Sequence, residues 1–238
     1  MFVSEFNKQT ETKYSIKCKK KLFKVRSKFQ KIEVYESSKY GNIMMLDDCF
    51  MLTEKGNEHY HNKCISLVTK KKKNLKVLII GGGDFGIVKK LFNKVDIKKL
   101  TIVEIDEKVI DTSMKYFPMF FNLSKKIKEK IVIVIDDGFK WMKNNKLLFD
   151  VIIIDCTDPN PIAKELYSKI FYKNAYYALK KSGLIIQQSG SPNLNKNNII
   201  NPMIKKLSEV GFENISLNSF NMPIYPSGSW SFIKGKKA

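Results

Sequence analysis

The apolar and polar positions of the 238-residue chain change period near residue 76. Before it, short alternating or apolar runs occur at Lys21–Arg26, Lys31–Tyr35 and Asn42–Leu46. Turn-forming stretches at Ser37–Gly41 and Asp47-Asp48 separate them. A period of two points side chains to opposite faces of an extended strand, so residues 1–53 are expected to form a small antiparallel β-sheet domain. Thr53 and Glu54, followed by Gly56 to His59, are expected to start a helix running to about Val68. The lysine run 70–73 reads as a solvated helix-to-strand connection, which makes 54–75 a connecting helix and linker.

From residue 76 to 238 the runs are short, β-branched and apolar: Val77–Ile80, Leu100–Val103, Ile131–Ile135, Val151–Ile154 and Leu184–Ile186. Each reads as a strand buried on both faces. Helical stretches fall between them at Ile87–Asn93, Glu107–Tyr116, Phe139–Lys143, Tyr167–Leu179 and Asn198–Val210. Strands alternating with helices predict an α/β domain with a mostly parallel sheet wound on both sides. Leu217 onward, with Trp230–Ile233, reads as a closing strand pair, and the Asn-rich run 193–198 as a loop.

Composition changes this picture only through charge. Hydrophobic residues make up 43% and charged residues 28%, which argues against disorder. The formal net charge of +20 raises nucleic acid or an anionic membrane as a partner. Its make-up points elsewhere. Arg26 is the single arginine and the other 42 basic residues are lysine. Lysine cannot copy the planar fork with which arginine reads phosphates and bases. Alanine occurs only at 163, 175, 178 and 238, while Lys, Ile and Asn, all with AT-rich codons, are abundant. The lysine coat therefore reads as compositional drift, with selection for a polyanion as the rival explanation. Neither nucleic acid nor membrane is expected as a partner.

No run of about 18 apolar residues suggests a membrane-spanning helix. Met1–Asn7 does not have the charged-then-apolar form of a signal peptide. Cys18, Cys49, Cys64 and Cys156 show no C-x-x-C spacing, so a reduced, cytoplasmic setting is expected. His59, His61 and Cys64 cluster, but no second ligand pair follows, so no metal is expected.

The candidate chemistry lies at the strand ends. Val77–Ile80 runs into Gly81-Gly82-Gly83-Asp84-Phe85-Gly86 and a helix then opens, which satisfies G-x-G-x-x-G in its strand–turn–helix context. Glu104 ends the next strand, where this motif places an acid against ribose hydroxyls. Asp106 suits the N-cap of the following helix better. Asp84 inside the loop would repel a pyrophosphate and attract a cation, which favours a sulfonium nucleoside over a dinucleotide. Asp136, Asp137 and Gly138 end the third strand, facing an adenine or capping a helix. Asp155 and Asp158 end the fourth and point into the crevice where such sheets bind ligands.

These residues together resemble the polyamine aminopropyltransferases, the family of the spermidine synthases. The resemblance also takes in Phe29-Gln30, Tyr40–Asn42, Leu46-Asp47, Leu52–Glu54, Tyr60-His61 and Tyr225–Gly228, and so spans nearly the whole chain. It implies a Rossmann-like, methyltransferase-type sheet with a small N-terminal antiparallel β domain. It also implies transfer of an aminopropyl group from decarboxylated S-adenosylmethionine to putrescine, giving spermidine and methylthioadenosine. The donor is then a co-substrate, with no resident cofactor, and a homodimer or higher homo-oligomer is implied. By the same resemblance Gln30, Gly81, Gly83, Glu104, Asp137 and Gly138 would hold the methylthioadenosine part, and Asp84 the donor's ammonium. Tyr60, His61, Asp155, Asp158 and Tyr225 would hold the diamine, with Asp155 as proton acceptor.

The chain departs from the family pattern at several places. Phe85 stands where glycine is usual and is expected to crowd the turn or pack under the helix. Lys55–Asn57, Asn62-Lys63 and the gate Asn160–Ala163 also differ, and the chain ends at Gly235–Ala238, where family members usually continue. Two rivals stand beside aminopropyl transfer: a methyltransferase, such as a diamine N-methyltransferase, on the same fold, and a non-catalytic binding protein.

Overall fold

The computed structural model describes residues 1–8, 10–68, 73–145 and 148–238. Of the lysine run read as a linker, only Lys73 lies among them. The N-terminal region forms two sheets. A hairpin pairs β1 (Phe2–Asn7) with β2 (Thr12–Lys17), and β3 (Lys20–Arg26), β4 (Lys31–Ser37), β5 (Gly41–Leu46) and β6 (Cys49–Thr53) form an antiparallel meander. Helix α1 (Glu58–Ser66) starts four residues later than the sequence pattern indicates. The delay has a local cause: Asn57 Oδ1 accepts from the Thr53 amide at 3.1 Å, and Gly56 takes φ +97°, so 53–57 is a turn.

The remaining strands form one seven-stranded sheet. They are β7 (Leu75–Gly81), β8 (Ile97–Glu104), β9 (Ile131–Ile135), β10 (Phe149–Asp155), β11 (Leu179–Gln188), β12 (Phe212–Asn221) and β13 (Ser229–Lys237), in spatial order β12-β13-β11-β10-β7-β8-β9. Strands β7 to β11 run parallel, whereas β13 pairs antiparallel with β11 and β12. Helices α2 (Gly86–Lys94), α3 (Glu107–Tyr116), the one-turn α4 (Lys125–Lys128), α5 (Gly138–Asn144), α6 (Lys169–Ala178) and α7 (Asn201–Val210) connect them. The mixed α/β architecture read from the alternation is the one observed.

Burial on both faces follows from period two. In β7, Val77 and Ile79 enter one apolar cluster, while Leu78 and Ile80 enter the other. β10 repeats this, with Val151 and Ile153 on one side and Ile152 and Ile154 on the other. The reading of Ile131–Ile135 as buried on both faces is corrected: β9 is the sheet edge, and Val132, Ile133 and Ile135 are 37%, 45% and 46% exposed. An apolar run reports strand propensity, not how many neighbours the strand finds. The loop assigned to 193–198 is also corrected, because a wide helical turn at Lys196–Ile200 leads into α7. Tyr167 closes a separate short turn, Lys164–Tyr167, and Ser168 then caps α6 by accepting from the Phe171 amide.

The chain leaves β7 toward β8 and β9 on one side, and leaves β10 toward β11 on the other. The switch therefore lies between β7 and β10, whose ends meet in register at Gly81 and Asp155. Parallel strands aim their carboxyl ends, and the helix N-termini that follow, at the crevice opened there.

Candidate active site

The crevice is a cavity of about 300 Å³. Its wall includes Gln30, Gly81, Gly83, Asp84, Asp137, Gly138, Tyr60, Asp155, Asp158 and Tyr225. Residues from both halves of the chain thus converge on one space. His61 and Glu104 stand directly behind this wall rather than in it.

Backbone geometry explains the glycine loop. Gly81 has φ +81°, and a Cβ on it would collide with the Asp155 carbonyl; one on Gly86 would enter the His61 ring. Asp84 accepts from the Gly86 amide at 2.8 Å through Oδ1, and its Oδ2 lies 3.7 Å from His61 Nε2. The carboxylate occupies the first free N–H of α2, where a phosphate would otherwise bind. Phe85 packs rather than crowds. It takes a left-handed φ of +62° and stacks on Phe121 with ring centroids 4.4 Å apart.

His61 is 1% exposed. Besides Asp84, its Nε2 meets the Asn57 amide nitrogen at 3.5 Å, and Nδ1 has no hydrogen-bond partner among the described residues. Glu104 Oε2 accepts from the Gly83 amide at 3.2 Å and Oε1 from the Asp106 amide at 3.0 Å. Burial is the main reason its carboxyl is pushed up to about 7, and these backbone donors pull the other way. Asp106 caps α3 through the Lys108 amide, and Asp137 caps α5 through the Phe139 and Lys140 amides. Asp136 instead accepts from the Asp137 amide.

At the end of β10, Asp155 Oδ1 accepts the Tyr60 hydroxyl at 2.5 Å. Burial first, and the Asp84 carboxylate second, push Asp155 up to about 7; the Tyr60 hydrogen bond and His61 pull it back. Burial also raises Asp158, and the Gln188 amide, which donates at 3.1 Å, opposes the rise. Tyr225 lines the cavity, and its ring carries a hydroxyl that donates to the Met51 carbonyl at 2.8 Å. That ring meets Trp230 edge-on at 4.7 Å, and the Trp230 indole N–H donates to Gln188 Oε1. In the gate, Asn160 Oδ1 accepts from the Ile162 and Ala163 amides and folds that segment over the cavity wall.

Sequence reasoning missed Glu5. It reaches the cavity from β1, its Oε2 accepts from the Phe50 amide at 2.8 Å, and burial, reinforced slightly by Asp158, pushes it up to about 7. Gln188 and Trp230 were missed as well. None of the three sits in a motif, so no local signal marks them. Among the described residues, no three His, Cys, Asp or Glu side chains gather as metal ligands. Seven acidic side chains among the described residues thus line an aromatic-walled crevice in a chain of net charge +20: Glu5, Asp84, Asp155 and Asp158, the α5 cap Asp137, and Asp47 and Glu165. Such a site favours a polycation and can lend a base to one end of it.

Comparison with known proteins gives consistent results. The family model described as spermine/spermidine synthase domain matches residues 57–238, and the one described as spermidine synthase tetramerisation domain matches residues 1–54. The chain is 38% identical to a polyamine aminopropyltransferase of Methanocaldococcus jannaschii, over 94% of this chain and 75% of that protein. It is 39% identical to one from Thioalkalivibrio sulfidiphilus, over 93% and 78%. A spermidine synthase solved with the transition-state analogue AdoDATO superposes with a TM-score of 0.91 at 28% identity, covering all of this chain and 80% of the other. The spermidine synthase of Thermotoga maritima superposes with 0.88, also at 28% identity and with the same coverage.

Proposed function

The chain belongs to the spermine/spermidine synthase family, and we propose that it transfers an aminopropyl group from decarboxylated S-adenosylmethionine to putrescine. The observation that carries this reading is the convergence of Glu5, Asp84, Asp155 and Asp158, among the seven acidic residues that line one crevice. The donor brings a sulfonium and an ammonium, and the acceptor brings two ammoniums. Their approach is unfavourable unless fixed negative charge offsets it.

Asp155 holds the attacking amine and takes its proton. A carboxyl pushed up to about 7 is a better base than an ordinary one while remaining substantially ionised near neutrality. The neutral nitrogen then attacks the carbon next to sulfur. The carbon–sulfur bond breaks, sulfur keeps the electron pair, and the products are spermidine and methylthioadenosine. No covalent enzyme intermediate is needed, so alignment carries the step. Asp84 faces the donor's ammonium, and its place on the helix N-terminus disfavours a donor that still carries a carboxylate. Asp158 and Glu5 face the acceptor's far ammonium, between the Tyr60, Tyr225 and Trp230 rings. Gln30, Asp137 and Gly138 hold the nucleoside at the wall, and Glu104 supports that site from behind by fixing the Gly83 amide. The donor is consumed as a co-substrate, with no resident cofactor.

The match of residues 1–54 to a tetramerisation model supports a homodimer or higher assembly built on the N-terminal sheets. The reading places the reaction in the cytoplasm, and no helix among the described residues is long and apolar enough to cross a membrane.

The test offers putrescine, cadaverine or spermidine as acceptor, with either the decarboxylated or the intact donor. Methylthioadenosine released only with the decarboxylated donor, fastest with putrescine, is the expected result. A methylated diamine from the intact donor would overturn the reaction type. A preference for spermidine would move the assignment to spermine formation.

A further inference from the structure

Asp106 does more than cap a helix. It is 2% exposed and joins three segments of the chain. Its Oδ1 accepts from the Lys108 amide at 3.2 Å. Its Oδ2 accepts the Ser27 hydroxyl at 2.6 Å and the Gln30 side-chain amide at 3.0 Å. The Ser27 hydroxyl oxygen in turn accepts from the amides of Phe29 and Gln30. The turn 27–30 between β3 and β4 is thereby tied to the end of β8, next to Glu104. Nothing in the chemistry proposed above uses Asp106, yet one of its partners, Gln30, lines the cavity.

A carboxylate only accepts hydrogen bonds, so it fixes which way a neighbouring amide faces. Gln30 must turn its NH2 to Asp106, which aims Oε1 away, and among the described residues Oε1 has no donor. We propose that Asp106 is a positioning residue that holds Gln30 as a hydrogen-bond acceptor toward a hydroxyl of the donor's ribose. It also couples the N-terminal sheet to the nucleoside site. The inference rests on the aminopropyl-transfer reading, because that reading supplies the nucleoside.

Binding of methylthioadenosine, measured by calorimetry, tests it without turnover. Asp106→Asn keeps an equally good N-cap, so the fold and a cooperative thermal transition are retained. The introduced asparagine turns its own NH2 to Gln30, the Gln30 amide flips, and Kd rises by about tenfold, the scale of one hydrogen bond. Gln30→Glu alone sets two carboxylates together and also raises Kd by about tenfold or more. In the double variant the introduced asparagine donates to one oxygen of the introduced glutamate, while the other oxygen faces the ligand. Kd then returns to within about threefold of wild type. A merely structural Asp106 gives losses that add in the double variant. Additive losses, or an unchanged Kd in Asp106→Asn, would overturn the proposal. Should Asp106→Asn fail to fold, Gln30→Glu with Asp106 intact carries the test: unchanged binding sinks the proposal. No methylthioadenosine binding by the wild-type protein would sink the functional reading itself.

Discussion

Tyr60 donates its hydroxyl to Asp155 Oδ1 across 2.5 Å, from a helix of the N-terminal half to the end of β10. The bond favours the ionised carboxylate, against burial and the Asp84 charge that favour the neutral acid. It keeps a buried carboxyl available as a base near neutral pH. Asp155→Asn is expected to retain the fold and to lower kcat about 10²-fold or more, the scale of general-base loss. Tyr60→Phe removes a lowering influence, so the Asp155 pKa rises. The acid limb of kcat/KM then moves to higher pH. Wild-type turnover in Asp155→Asn, or an acid limb moved to lower pH in Tyr60→Phe, would contradict these roles.

The buried acids also set the stability profile. Glu5, Glu104 and Asp155 are each pushed up to about 7, whereas an unfolded carboxyl titrates near ~4. A folded-state pKa above the unfolded one contributes stability that is full below the unfolded value and lost as pH rises through the folded value. The ligand-free protein should therefore lose Tm between about pH 5 and pH 8. Thermal melts should show a flatter profile for Glu104→Gln, and putrescine should offset part of the loss at the upper end.

Asp84 touches the Gly86 amide and faces the cavity. Asp84→Asn keeps the Asx turn but removes the charge. It should lower kcat/KM with the decarboxylated donor by roughly 10- to 100-fold, the range of a charge-assisted hydrogen bond. Binding of the intact donor should weaken far less, so the ratio between the two donors narrows. An unchanged ratio would remove Asp84 from donor selection.

The stack of Phe85 on Phe121 offsets a left-handed backbone at φ +62°. Phe85→Ala loses the packing and keeps the strain, a cost of about 3 kcal/mol. Phe85→Gly loses the same packing but relieves roughly 1 kcal/mol of strain. Urea melts should therefore rank wild type above Gly and Gly above Ala.

The charge of +20 repels a cationic acceptor at long range. Moderate added salt screens that field, so kcat/KM for putrescine should rise with salt at low ionic strength. A steep monotonic fall would show that the local carboxylates govern the approach instead.

Local patterns carried much of this protein. Period-two apolar runs separated by helical ones set the parallel sheet, because the core clusters on its two faces are filled by alternate residues of the same strands. Glycines and acids at strand ends located the crevice, because the carboxyl ends of parallel strands meet at the switch between β7 and β10. Tertiary packing decided the rest. The five apolar residues of β9 look like those of an interior strand, yet only the spatial order makes β9 an edge. Glu5 enters the site only because the β1–β2 hairpin folds against it, and no motif marks that contact. His61 comes to rest behind Asp84, and Tyr225 spends its hydroxyl on Met51, because neighbours remote in sequence claim those atoms. The raised carboxyl of Asp155 depends on burial and on the distance to Asp84. Desolvation and Coulomb energy are functions of separation in space, which residue spacing along the chain does not encode.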